Sequence, residues 1–325
     1  GISVAVAATL TGNDVAKIKS LPRIEGEKRK VVIQKGHITG AGDAPISQVI
    51  ALTGAEVVEI GEALDCATFH LEHALDGEVA CAVYVLGDVF PPNLLPLVAF
   101  LRICKAKGVP VVIDAAYETN FTHLIDKGAD IVIHSAQKWL GGPTAGIIAG
   151  RKDLIQACFL QDLGIGRPMK AGKEGIAGAI FAIEEWKRRD EARTHAEQRE
   201  LAEKIRARLE RFTGVTCEIR KSAHSPAIRL VLVFDERSGA VPAWEVNRLL
   251  GQGNPPIKTD DYAVNFGTIE LDFSYLDKGD EELIAQRMVE ILETGSTEPE
   301  GKKSEIKRLG RQDVLVQAAT RWPDV

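Results

Sequence analysis

Lys138 stands within residues 131–150, IVIHSAQKWLGGPTAGIIAG, between an apolar β-branched run and a second apolar run, Ala145 to Ala149. Gly141-Gly142-Pro143 supplies a turn, because glycine tolerates positive φ and proline fixes its own. The spacing predicts two short strands that hold a lysine at a strand end. Such a lysine could do no more than lay its stem along the sheet edge with its ammonium in water. Upstream, Val109 to Glu118 reads VPVVIDAAYE: an apolar strand ends in Asp114, and Ala115 and Ala116 follow where larger side chains would block a flat ligand.

A carboxylate and an amine, each at the C-terminal end of a strand in an α/β chain, are the pair that pyridoxal 5'-phosphate chemistry requires. Lys138 would form the Schiff base with the cofactor aldehyde, and Asp114 would keep the pyridine nitrogen protonated so that the ring accepts electrons. Displaced by an amino-acid substrate, the Lys138 amine would take the Cα proton, which needs its pKa lowered by burial beside a cationic ring. Asp114 is expected to stay ionised through a charge-assisted hydrogen bond.

The elements around this pair alternate. Apolar runs at Val31–Gln34, Ala55–Ile60, Val79–Leu86 and Val109–Asp114 read as strands, and Gly1–Leu10, Ala44–Leu52, Leu64–Leu75, Leu94–Lys107 and Lys152–Leu160 as helices. That alternation predicts an α/β, mostly parallel, doubly wound sheet. Asn13–Lys30 reads as a polar surface connection and Gly87–Pro92 as a crevice loop. From Glu174 a long helical stretch begins, with Ile176, Ile180 and Ile183 on one face, and it runs to Gly214. Strands at Val215–Ile219, Ile228–Phe234 and Thr268–Phe273, with helices at Trp244–Leu250 and Asp280–Thr294, predict a smaller α+β C-terminal domain. The expected division is 1–165 for the large domain, 166–295 for the small one, and 296–325 for a linker and tail.

The order strand-Asp-Ala-Ala, Gly128-Ala129-Asp130, strand, Ser135-x-x-Lys138, Gly-Gly-Pro and returning strand resembles the fold-type I pyridoxal-phosphate enzymes. Within them it is similar to the family of L-seryl-tRNA(Sec) selenium transferase and D-glucosaminate-6-phosphate ammonia-lyase, and GIGRPMKAGKE at residues 164–174 brings it nearer the ammonia-lyase branch. The resemblance implies that His37, one strand after the first helix, stacks on the cofactor ring, although a solvated loop histidine is the plain alternative. It gives Ser135 a place on the cofactor phosphate, against a role in satisfying backbone groups. Ala116 and Gly142 would border the cofactor, with Gly142 and Thr144 at the phosphate of a neighbouring subunit in a homodimer or higher homo-oligomer. In such enzymes a glycine-rich phosphate loop precedes the first helix; at most one residue of it, Gly1, is present, so an N-terminal part of the large domain is expected to be missing. Arg167, Lys170 and Lys258 are candidate cations for a substrate carboxylate or phosphate, each equally readable as a surface residue.

Composition bounds the rest. With 325 residues, 45% of them hydrophobic, 30 glycines and a net charge of −6, the chain has the makeup of a soluble enzyme without the basic excess that nucleic acid binding would call for. Its five scattered cysteines, none in a C-x-x-C spacing, argue against disulfides and zinc and for a reducing cytoplasm. No apolar run approaches a membrane span. His70 and His73 are spaced i, i+3, but no carboxylate or cysteine completes a metal set beside them. The expected activity is α,β-elimination of a hydroxylated, sugar-derived and phosphorylated amino acid to a keto acid and ammonia. The alternatives are a β-replacement enzyme like the selenium transferase and a non-catalytic relative that keeps the fold.

Overall fold

Alternation along the strands builds the first of two units. The computed structural model describes residues 1–295 apart from 25, 27, 39–43, 88–89, 119–121 and 222–226. Helices α1 (Ile2–Thr11) and α2 (Val15–Ser20) lead into β1 (Lys30–Gln34), followed by α3 (Ile46–Ala51), β2 (Glu56–Ile60), α4 (Thr68–Ala74) and β3 (Val79–Val85). Next come α5 (Leu97–Ala106), β4 (Val111–Asp114), α6 (Thr122–Asp126), β5 (Ile131–Ser135), β6 (Gly146–Gly150), α7 (Lys152–Leu160) and α8 (Lys173–Arg188). The six strands form one sheet in the order β2-β1-β3-β4-β5-β6. Five run parallel, and β6 returns antiparallel to β5, as the Gly-Gly-Pro turn requires.

Both faces of this sheet are covered. Cys81, Val83 and Val85 of β3 join Val31, Ile33, Val112 and Ile131 in a core with α1, α3 and α7. Ala82 and Tyr84, pointing the other way, join Val32, Ile113 and Val132 with α4, α5 and α6. All seven residues of β3 are buried, which explains its continuous apolar run: a central parallel strand has no solvent face. Each large apolar side chain enclosed this way contributes about 1.5 to 3 kcal/mol.

The second unit holds α9 (Glu191–Leu209), β7 (Val215–Lys221), β8 (Ile228–Phe234), α10 (Ala243–Gln252), β9 (Thr268–Asp272) and α11 (Asp280–Thr294). Its three strands are antiparallel with β8 central. Ile205 and Leu209 of α9, Leu230 and Leu232 of β8 and Met288 of α11 share its core. An α/β unit and a smaller α+β unit are therefore both present.

Four details differ from expectation. The stretch 13–30 contains α2, whose first turn is capped by the Asp14 carboxylate accepting from Ala16 N and Lys17 N. The long helix expected from Glu174 is two helices: it breaks at Arg189-Asp190, where the Asp190 carboxylate caps α9 by accepting from Arg193 N. In α8 the buried positions are Ala179 and Ala182, while Ile176 and Ile180 are 52% and 59% exposed. The two compact units divide after Arg189, so α8 groups with the first, whereas the expected boundary was near 165. The expected linker and tail, 296–325, lie outside the described residues, as do Asp88 and Val89 of the crevice loop. Among the described residues no helix is long and apolar enough to cross a membrane.

Candidate active site

In the first unit the C-terminal ends of β1, β3, β4 and β5 share one edge of the sheet, because all four strands are parallel. That edge is where open α/β sheets bind ligands. Asp114 is the last residue of β4. Its carboxylate accepts a hydrogen bond from Ala116 N at 3.0 Å. Burial raises the Asp114 pKa, opposed by the Ala116 N–H and by the charge of Lys138. Burial lowers the Lys138 pKa, opposed in turn by Asp114. Each group therefore lies within the electrostatic field of the other across the strand ends.

Local structure holds Lys138 there. After β5 the chain turns through residues 136–140; Gly141 N donates to Lys138 O at 2.9 Å, Gly142 N to Ala136 O at 2.7 Å and Ala136 N to Ala145 O at 2.9 Å. Gly142 has a packing reason as well. A Cβ on it would lie 2.9 Å from the Ala182 methyl and 3.0 Å from Ala136 O, and a Cβ on Gly178 would lie 2.7 Å from Pro143. Helix α8 thus rests directly on the turn that follows the lysine. Arg189, just past its end, donates from Nη1 to Trp139 O at 2.7 Å.

The remaining expected residues fall out as follows. Ser135 is half-buried at the end of β5, opposite Gly146, and Thr144 Oγ1 donates to Gln137 Oε1 at 2.5 Å. His37 is 2% exposed. Its ring meets Tyr84 and Phe90 at centroid distances of 4.6 and 4.8 Å, both edge-on, and its Nδ1 accepts from Val85 N at 3.4 Å. The ring is enclosed rather than solvated, and burial holds its pKa down at about 4. Arg167 and Lys170 are exposed around the short turn Arg167–Met169, and Lys258 is exposed in the second unit. His73 is exposed, while His70 is partly buried and accepts from Ala67 N at 3.1 Å, capping α4.

Three residues had not been singled out. Tyr117 lies under the Lys138 ammonium, with Nζ 3.6 Å from its ring centroid. His134 is buried on β5, bonded to the Glu118 carbonyl and within the field of Asp114. Gln34 is fully buried and bonded to Leu95. An aromatic residue directly after Asp-Ala-Ala was the one available signal for Tyr117; the others sit in apolar strands and depend on neighbours distant in sequence.

The model of the L-seryl-tRNA selenium transferase family matches residues 112–231, which include Asp114 and Lys138. D-glucosaminate-6-phosphate ammonia lyase of Salmonella typhimurium is 32% identical over 295 residues, 90% of this chain and 79% of that protein. The chain belongs to this family of pyridoxal-phosphate-dependent enzymes. A second family relative, 5'-C-glycyluridine monooxygenase-decarboxylase of a Streptomyces species, is 35% identical over 90% of this chain and 74% of its own length. The solved structure of D-glucosaminate-6-phosphate ammonia-lyase superposes with a TM-score of 0.77 at 31% identity, covering 91% of this chain and 79% of the other. The chain accordingly has the fold-type I architecture and is an enzyme of the lyase and transferase type that these relatives represent. Its residues fit the cofactor: the half-buried Lys138 amine and the Asp114 carboxylate, each within the electrostatic field of the other, stand with two alanines at the C-terminal edge of the sheet.

Proposed function

We propose that this chain is a pyridoxal-phosphate-dependent carbon–nitrogen lyase that converts a hydroxylated, phosphorylated, sugar-derived amino acid to a keto acid and ammonia by α,β-elimination. The observation that carries the reading is the mutual field of Asp114 and Lys138 at adjacent strand ends. The likeness to the ammonia lyase along 90% of the chain supports the reaction class.

When bound, pyridoxal phosphate supplies the electron sink that lets a bond at the substrate Cα break. The chain supplies the rest. The Lys138 amine anchors the cofactor aldehyde carbon and, when free and neutral, accepts the Cα proton; its burial favours that neutral form. The Asp114 carboxylate, which accepts from the Ala116 N–H, would hold the pyridine nitrogen. Ala116 and Gly142 leave room, Ser135 offers a hydroxyl to the phosphate, and Arg167, Lys170 and Lys258 are the cations for substrate anions. The first unit, which carries Asp114 and Lys138, would bind the cofactor. Exposed Ile180 and Phe181 on α8, the helix that lies on the Gly142 turn, support a homodimer or larger homo-oligomer, and the reduced, scattered cysteines support a cytoplasmic setting.

A second reading is favoured by the 35% identity to the monooxygenase-decarboxylase: loss of a carboxylate from the same Cα with consumption of dioxygen. An ammonia-release screen over amino-sugar acids, with and without a phosphate group, separates the two. Ammonia and keto acid in equal amounts support elimination; oxygen uptake with carbon dioxide release supports decarboxylation. The β-replacement alternative would show as binding of a seryl-tRNA.

A further inference from the structure

The Lys138 amine is not left to solvent. Its Nζ stands 3.6 Å from the centroid of the Tyr117 ring, and that ring is tilted at 59° to the Trp139 ring with centroids 6.5 Å apart. Tyr117 belongs to the loop that leaves Asp114; Lys138 and Trp139 belong to the turn that leaves Ser135. One aromatic ring therefore joins the two loops that carry the amine and the carboxylate.

An ammonium over an aromatic face is attracted by the ring quadrupole, and a neutral amine is not. The contact thus distinguishes the two protonation states of the lysine. The Asp114 carboxylate also acts on the amine, and it lies in turn within the fields of the Gly1 ammonium and His134.

We propose that Tyr117 is a positioning residue: its ring face holds the free Lys138 ammonium beside the strand ends and delays the loss of its proton. The proposal rests on the reading of Lys138 as the cofactor lysine and concerns the amine whenever it is free. Burial pulls the lysine toward neutrality, and the ring pulls back. A contact of this kind changes the ammonium-to-amine ratio by roughly fivefold to tenfold.

The test uses cofactor-free full-length protein, reductively methylated with formaldehyde and cyanoborohydride across a pH series, with the Lys138 peptide quantified by mass spectrometry. Tyr117→Phe keeps the ring face and is expected to leave the midpoint of the Lys138 profile in place. Tyr117→Leu is expected to lower it, making Lys138 about fivefold to tenfold more reactive below the wild-type midpoint. An unchanged midpoint in Tyr117→Leu, or an equal shift in Tyr117→Phe, overturns the proposal. Should the leucine variant fail to fold, the wild-type protein still answers: carbon-13 methyl groups on Lys138 must show an upfield ring-current shift, and its absence overturns the proposal too. Borohydride trapping of the cofactor on a different lysine would instead refute the reading of Lys138, leaving the Tyr117 titration intact.

Discussion

Gln34 clasps Leu95 with both ends of one side-chain amide. Leu95 N donates to Oε1 at 2.7 Å, and Nε2 donates to Leu95 O at 3.4 Å. The Tyr84 hydroxyl donates to the same carbonyl at 3.2 Å. The last residue of β1 is thereby tied to the segment that enters α5, and His37 packs beside the clasp, its Nδ1 3.5 Å from Gln34 Nε2. Two segments at the C-terminal edge of the sheet are held in register by this one buried amide.

Gln34→Leu keeps the volume and removes both bonds, stranding the Leu95 N–H in the core. The expected loss is about 2 to 3 kcal/mol, read as a lower denaturant midpoint at unchanged slope. A midpoint within error of wild type would mean that the clasp is dispensable.

Gly142 is bounded by Ala182 and by the Ala136 carbonyl. Gly142→Ala should lower the thermal midpoint by the equivalent of about 1 to 3 kcal/mol and weaken cofactor binding, because relief of the clash moves the Lys138 turn. Adding Ala182→Gly should restore part of both losses. Failure of the double variant to recover anything would place the strain on the Ala136 carbonyl alone.

Burial keeps His37 neutral down to about 4, against 6.5 for an exposed histidine. Above 6.5 the ring is neutral in the folded and unfolded chains alike. As the pH falls from about 6.5 toward 4 the unfolded chain takes up a proton that the folded one refuses, so stability is lost through that window. The cost by pH 4.5 is about 2.5 kcal/mol. In His37→Phe the stability difference between pH 7 and pH 4.5 should shrink by that amount, measured by urea unfolding at each pH; an unchanged difference would locate the acid sensitivity in other groups.

Much of the fold was legible from one dimension. The runs that became Ile228–Phe234, Lys152–Leu160 and Asp280–Thr294 were read with the bounds the structure gives them, because a buried strand or an amphipathic helix writes its period into adjacent residues. Asp114 and Lys138 stood out because charges are rare at the ends of apolar strands. Packing direction was harder. Ile176 and Ile180 lie one helical turn apart and invite a core assignment, yet α8 buries the alanines instead, since only small side chains let it approach Gly142 and Pro143. The break before α9 was marked by Asp190 followed by Glu191, a helix-start signal hidden in a charge-rich run. The enclosure of His37 was not legible because it depends on Tyr84 and Phe90, more than forty residues away in the chain.

The account turns on which side chain holds the cofactor. The protein is to be loaded with pyridoxal phosphate, reduced with borohydride, digested and mapped by mass spectrometry. The reduced cofactor is predicted on the peptide that contains Lys138, with the visible absorbance band lost in Lys138→Ala and weakened in Asp114→Asn. Adduct on another lysine, or a Lys138→Ala protein whose spectrum matches the wild type, would contradict it.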